Sequence, residues 1–453
     1  MPSLADIPVE ILALILRNIT NENDRENALL VSRQFRTIGC MVFFEKIEID
    51  TIYPRMHRVA LAIQPYQSYI RDLHVTNLED EALIGVLQSL PQLRGLRSLR
   101  LTGCDQMGLE STSVLLEAGL QNVTCLTSID LHIGRSPRCY GTSAFKEIKL
   151  SFVGLEVKTD IPAIPTLECL HLCGGESLNE LGSTEGYSIT PAKFPRLRHL
   201  EIAVINIIKT EEFFPVSMET IVVLKIDYCY VSNPGFLNLA AAHANIIQLA
   251  LLNWQTVTAP YHIFMPVVDD LELGSTLPRS FKVYGNPKKL TLGSTIFDER
   301  DLDTGHQGIQ LNTVHHLDYS GDKWVPGWDD QLAVNTNMHT FQYYGYLEVS
   351  TWNVIRDIRS LRNIQIGLGK RDAMRLSTIH LATPAMIFSG LPFWCEYLTV
   401  ERGPAFNMDS AEWNANIGRL ATRSLSEGPI DIVIKWLTRP SINLAMDNKI
   451  LCT

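Results

Sequence analysis

The sequence has little of what several classes of function require. It has no excess of positive charge: 39 Lys and Arg stand against 49 Asp and Glu, a formal net charge of -10. The broad basic footprint that neutralises phosphates is therefore missing, which excludes nucleic acid as the main partner. It has no long apolar run. The stretch Ile11 to Leu16 is too short for a membrane span or a signal core, and Met1 to Asp6 carries no basic lead-in, so no membrane partner is expected. Its nine cysteines follow no framework spacing. That excludes a disulfide scaffold and is what reduced thiols in an intracellular compartment, cytosol or nucleus, would leave. Charged residues are only 19% against 46% hydrophobic ones, which excludes extensive disorder.

What the chain does have is length and repetition. At 453 residues it exceeds the roughly 250 to 300 residues at which single cores stop growing. Several domains or one elongated repeat body are expected. The sequence divides into a helical segment over 1–45, a repeat body over 46–440 and a tail over 441–453.

The helical segment opens with a start signal. Pro8 suits the first helical position and Glu10 suits the positive end of the helix dipole. Ile11, Leu12, Ile15 and Ile19 then make an apolar stripe. A second start falls at Asn23, with Glu26 three residues later as in a capping box. From there Val31, Phe35, Ile38 and Val42 recur at helical spacing. Two or three short helices bury too little surface to stand alone, so they should dock on the next domain or on a partner.

From Phe44 onward one theme recurs, an apolar triplet spaced as residues one, four and six. It starts at Ile70, Leu96, Leu126, Leu167, Leu197, Ile221, Ile246, Val268, Val314, Met338, Leu361 and Cys395, with a degenerate copy at Pro287. With 46% hydrophobic residues, chance alone starts such a triplet at roughly one position in ten. Order distinguishes these copies from chance, because most starts fall about 22 to 30 residues apart, the range of leucine-rich repeats. Cys104 and Cys229 recur at the ninth place, and Pro165 and Pro195 each stand two residues before a repeat leucine. The intervening segments predict helices over Glu79 to Leu90, Leu109 to Leu120, Gly235 to Ala244, Trp352 to Leu361 and Ala411 to Leu425. Two intervals depart from the period: Leu126 to Leu167 is long, and Val268 to Pro287 is too short for a helix.

The segments Ile7-Pro8-Val9-Glu10-Ile11-Leu12 and Leu30-Val31-Ser32-Arg33-Gln34-Phe35-Arg36 resemble the two halves of an F-box, and the whole chain resembles F-box leucine-rich-repeat proteins of the fungal sort. The resemblance implies an α/β fold: a short N-terminal helical F-box followed by an irregular leucine-rich-repeat solenoid, a horseshoe with a curved parallel sheet. It implies that Leu4, Ile7, Pro8, Ile11, Leu12, Ile15, Leu30, Val31 and Phe35 fit the Skp-type adaptor of a cullin-RING ubiquitin ligase. The chain would then be a substrate-recognition adaptor, with a protein target on its repeats. The alternative is a repeat scaffold whose helices only cap the first hydrophobic edge. A cap would bury Ile11, Leu12 and Phe35, whereas a hook would display them.

A search for bond chemistry finds fragments only. Cys169-Leu170-His171-Leu172-Cys173 puts three soft ligands on one strand face, but same-face neighbours on a strand sit about 7 Å apart, while zinc bonds of about 2.0 to 2.3 Å need convergence. His315, His316 and Asp318 read as a solvated face. Gly367-Leu368-Gly369-Lys370 lacks the leading glycine of a phosphate loop, and Gly182 to Gly186 frames Thr184 without the strand-turn-helix setting of a nucleophile. A non-catalytic protein without metal or cofactor is expected.

Binding is left to the outward strand positions, which lean acidic through the middle of the chain. Asp227, Glu272, Asp318 and Tyr344 are nominated there, as a face for a basic target segment or as an ordinary solvated sheet face. Trp324 and Trp328 are nominated either as hot spots or as loop packing.

Overall fold

The computed structural model describes residues 7–50, 66–76, 80–102, 110–133, 144–152, 161–174, 182–183, 188–207, 219–227, 229–231, 245–252, 255–256, 261–265, 268–274, 281–293, 309–320, 327–344, 347–368, 386–387, 390–392, 394–402, 431–436 and 442–444. The chain forms two compact units, 1–221 with 228–233, and 222–227 with 234–453. The division falls inside the repeat body.

Three helices open the first unit: α1 Val9–Arg17, α2 Glu22–Val31 and α3 Arg33–Phe43. Pro8 stands at the N-cap of α1, one place before the expected position. The cap of α2 is Asn21, whose side chain accepts from Asn23 N at 2.9 Å, so the start lies two residues earlier than the capping-box pattern at Asn23 suggests. Ser32 is extended and its hydroxyl accepts from Phe35 N at 3.1 Å. This cap divides the single helical stripe from Val31 to Val42 into two helices.

A parallel sheet follows, with strands β1 Lys46–Asp50, β2 Asp72–Thr76, β3 Ser98–Thr102, β4 Ser128–Ile133, β5 Glu147–Phe152, β6 Cys169–Cys173 and β7 His199–Ala203 in that spatial order. The second unit continues the same theme with β8 Val223–Asp227, β9 Gln248–Leu252, β10 Asp270–Leu273, β11 Lys289–Leu292, β12 His316–Tyr319, β13 Thr340–Tyr344, β14 Asn363–Leu368, β15 Tyr397–Arg402 and β16 Asp431–Trp436, all parallel. Strand β17 Ile442–Leu444, in the segment expected as a tail, pairs antiparallel with β16.

Every recognised triplet becomes one strand, which begins two residues after the first apolar position. That first residue is buried beneath the turn, as with Leu96, Leu126, Leu167 and Leu197, each 0% exposed, and the other two apolar residues point from the strand into the core. A repeated backbone device sets the stacking. One carbonyl per repeat accepts two consecutive N–H groups of the next repeat: Arg71 O accepts from Arg97 N and Ser98 N at 2.6 and 3.0 Å, and His315 O from His339 N and Thr340 N at 2.7 and 3.1 Å. Equivalent residues therefore align across the sheet, the pattern expected where each repeat completes its neighbour's core.

The long interval from Leu126 to Leu167 contains a full strand, β5, built on Phe145, Ile148 and Leu150, all buried. The opposite layer has helices where the period allows: α4 Asp80–Ser89, α5 Glu110–Asn122, α6 Trp328–Ala333 and α7 Val349–Arg356. The α7 helix lies three residues before its expected start, and the predicted helices over Gly235 to Ala244 and Ala411 to Leu425 lie outside the described residues. In the short interval between β10 and β11 an extended segment, Phe281–Gly285, replaces a helix and pairs in parallel with Tyr261–Met265. In the first unit Gly182–Ser183, Ile205–Ile207 and Tyr230–Val231 pair likewise. Among the described residues no helix is long and apolar enough to cross a membrane.

Candidate functional site

The helices α1 to α3 close a core of their own. Leu12, Leu16, Ala28 and Ile38 are buried together, with Ile7, Ala13, Ile19, Phe35, Val42 and Phe43 packed partly buried around them. At 100° per residue, Leu12 and Leu16 share one side of α1, Leu14 falls opposite them, and Ile11 and Ile15 lie along the flank between. Ile11, Leu14 and Ile15 remain exposed, as do Val9, Leu30 and Val31, with Ile11 50% and Leu30 72% accessible. A helix apolar on both faces is normally covered on both.

The residues nominated for an adaptor therefore separate into two groups. Pro8, Ile11, Ile15, Leu30 and Val31 are at the surface, whereas Leu12 is 0% exposed, and Ile7 and Phe35 serve the helical core. Leu12 cannot touch a partner directly without unpacking the helices. Leu4 lies outside the described residues. The helices join the repeats through Phe44, stacked on Tyr66 with ring centroids 3.7 Å apart, and through Arg17 Nη2, 3.1 Å from Glu45 Oε2.

On the open face of the first unit, Glu48, His74, Arg100, Asp130, Lys149, His171 and Glu201 form one row in register. The charges largely alternate and compensate one another. Arg100 Nε lies 2.9 Å from Asp130 Oδ2, Lys149 Nζ 3.1 Å from Glu147 Oε1, and His74 Nδ1 3.5 Å from Glu48 Oε1. Such half-exposed pairs order side chains more than they stabilise the fold.

The register also collects soft donors. Cys169 stands beside His199, and His171 beside Glu201, across β6 and β7. His171 Nε2 lies 2.9 Å from Cys169 Sγ, and its Nδ1 lies 2.7 Å from Glu201 Oε2. The His171 and His199 rings are 4.9 Å apart between centroids, tilted by 42°. Burial, then the carboxylates of Glu147 and Glu201, push the Cys169 thiol up to about 11, with Lys149 opposing. Burial and then His171 hold the His199 imidazole below its ordinary value, although Glu201 and Glu147 oppose this. Cys173, the third soft ligand of the sequence pattern, donates instead to Gly174 O at 3.6 Å.

The face of the second unit is more acidic at its centre. Asp270 is occupied, accepting from Lys289 Nζ and Gln248 Nε2, both at 3.0 Å. Glu272 and Asp318 share a row with Thr291 between them. Burial first and then the charge of Glu272 push the Asp318 carboxyl above its ordinary range, against Lys289. Asp227, Glu272 and Asp318 are half-buried at outward positions, and Tyr344 accepts a hydrogen bond from Gln365 Nε2.

Trp328 is not on this face. It is the first residue of α6, 2% exposed, and meets Tyr319 edge-on with centroids 5.6 Å apart, so it packs in the core and is neither a surface hot spot nor loop packing. Trp324 lies outside the described residues. Gly369 and Thr184 also lie outside them. His316 and Asp318 do share one strand face, as alternation requires, while His315 meets His339 edge-on at 5.8 Å.

No family model matches the chain, and no curated protein matches it.

Proposed function

We propose that the chain is the substrate-recognition subunit of a cullin-RING ubiquitin ligase, an F-box-like hook on a leucine-rich-repeat horseshoe. The hook binds a Skp-type adaptor and the repeats bind a protein target. The single observation that carries this reading is the outward apolar side of the helices. Ile11, Leu14, Ile15, Leu30 and Val31 are exposed although the helices already have a closed core. Several large apolar side chains left exposed on α1 and α2 outside a buried core are what an interaction site would use.

Of the three residues that separate a hook from a cap, Ile11 is exposed as a hook requires, while Leu12 is buried and Phe35 partly buried within the helices' own core. A cap would turn its apolar side onto the first repeat, whereas among the described residues the buried helical cluster lies within residues 7–43. The adaptor contacts are assigned to Pro8, Ile11, Ile15, Leu30 and Val31, with Leu12, Ile7 and Phe35 shaping the helices beneath them.

The target is assigned to the polar sheet face, where Glu272 and Asp318 concentrate negative charge and Asp227 and Tyr344 extend the surface. A basic target segment is the complementary chemistry. The chain itself makes and breaks no bonds. Its contribution is proximity, holding the target where ubiquitin transfer by other subunits becomes effectively intramolecular.

The test is a binding titration of the full chain against a purified Skp-type adaptor, beside an Ile11→Asp, Ile15→Asp variant. Saturable binding by the parent and at least a hundredfold loss in the folded variant is expected. No binding by a folded parent chain would overturn the hook in favour of the cap. For the target face, Asp227→Lys with Glu272→Lys should abolish capture of a basic target, and retained capture would remove the electrostatic argument.

A further inference from the structure

We propose that Cys169, His171 and His199 form a binding site for a soft divalent metal ion, with zinc the best match. The inference is independent of any adaptor or target and rests on what two neighbouring strands bring together. One sulfur and two imidazole nitrogens lie within 4.8 Å of one another on the half-buried face of β6 and β7.

A single strand does not achieve this, because its same-face residues are about 7 Å apart. Two features close the gap. His171 turns its ring back along the strand, so that Nε2 reaches 2.9 Å from Cys169 Sγ. Parallel pairing without stagger then places His199 directly beside Cys169, at an interstrand spacing of about 4.8 Å.

The orientation of His171 suits a ligand. Its Nδ1 faces Glu201 Oε2 at 2.7 Å, so an Nδ1–H donated to the carboxylate leaves the Nε2 lone pair directed at the sulfur. A carboxylate behind a histidine in this way fixes the tautomer and raises ligand basicity at metal centres. Without metal, the Cys169 thiol donates its proton to that lone pair. With metal, the ion takes the proton's place between sulfur and nitrogen, the proton leaves to solvent, and the thiolate binds as an anion. Zinc bonds of about 2.3 Å to sulfur and about 2.0 Å to nitrogen set tetrahedral donors roughly 3.5 Å apart. The sulfur and Nε2 therefore separate by roughly 0.6 Å on loading, within the reach of small side-chain rotations.

Donor chemistry selects the ion. One thiolate and two imidazoles match zinc, and they exclude magnesium and calcium, which require oxygen ligands. Three protein ligands leave the fourth tetrahedral position to a water on the partly exposed face.

The test uses the full chain, reduced and dialysed against a chelator, then titrated with Co2+ and afterwards with Zn2+. One equivalent of Co2+ should give intense visible bands of a tetrahedral site and a near-ultraviolet thiolate-to-metal absorption, both removed by Zn2+. Cys169→Ser should remove the thiolate absorption, and His199→Gln should weaken binding at least tenfold. Glu201→Gln should weaken it by about 10- to 100-fold through His171. Cys173→Ser should leave every signal intact. Should Cys169→Ser fail to fold by circular dichroism, His199→Gln and Glu201→Gln carry the same reading. Absence of a saturable signal in the parent chain overturns the site, as does a signal unchanged by the folded variants.

Discussion

The buried carboxamide of Asn335 donates through Nδ2 to the backbone carbonyl of Val314 at 2.9 Å, across one repeat of the second unit. The same nitrogen donates to Leu311 O at 2.5 Å, and Oδ1 accepts from Asn337 N and Met338 N at 2.7 and 2.9 Å. One side chain thus satisfies backbone groups on two successive turns. Asn335→Leu strands all of them in a site only 4% exposed. A loss of about 2 to 4 kcal/mol is expected from urea unfolding. Asn335→Asp should be nearly as harmful, because it keeps the acceptor but turns an anion toward two carbonyls. A variant as stable as the parent would contradict this account.

Leu12 and Ile11 are adjacent in sequence and opposite in role. Leu12→Ala should destabilise the helical unit by about 2 to 5 kcal/mol, since it opens a cavity in a closed core. Ile11→Ala, at a half-exposed position, should change folding by no more than about 0.5 kcal/mol yet weaken adaptor binding. Melting curves of the two variants, measured beside their adaptor affinities, separate the roles.

Trp328→Ala should behave as a core mutation. The ring is buried and lies edge-on to Tyr319, which in turn stacks on Tyr343 with centroids 5.4 Å apart. A cost of about 3 to 5 kcal/mol is expected. Tyr344→Phe, at the outward position, should fold normally and affect only binding at the sheet face. Denaturation of both variants by guanidinium tests the distinction, and a Trp328→Ala chain of parental stability would refute the burial.

His316 and Asp318 respond to pH with opposite signs. Burial, then Lys289, hold His316 below its ordinary value of 6.5, with Asp270 opposing. A depressed folded value contributes stability that is present above the unfolded pKa and lost as pH falls through the folded one. Asp318 is raised above 3.8, so its contribution is full below the unfolded pKa and lost as pH rises through the folded value. Asp318→Asn should therefore raise the melting temperature near neutrality, with the gain vanishing in acid. His316→Gln should reduce the loss of stability between about pH 7 and about pH 5. The checks are melting temperatures at both pH values, and reversed signs would refute them.

Much of the repeat body is legible because its signal is local. A triplet such as Leu197-x-x-Leu200-x-Ile202 states which residues face inward, and all three are 0% exposed. The β5 strand carries the same signal in Phe145, Ile148 and Leu150, a copy the triplet reading passes over within the long interval from Leu126 to Leu167. The division of the apolar helix residues into core and surface was not legible. Ile11 and Leu12 both fit an apolar stripe, and only the positions of α2 and α3 decide which one is covered.

Sequence alone determined the unit of this protein: an apolar triplet per repeat, with its inward-facing residues, and helices in some of the longer intervals, as at α4, α5 and α7. These follow from periodicities of a few residues, which need no knowledge of distant segments. Tertiary structure alone decided what stands beside what. His199 joins Cys169 because one carbonyl, Glu168 O, accepts both Arg198 N and His199 N at 2.9 and 3.0 Å. That bond removes any stagger between strands thirty residues apart in sequence, and no local pattern encodes such an alignment.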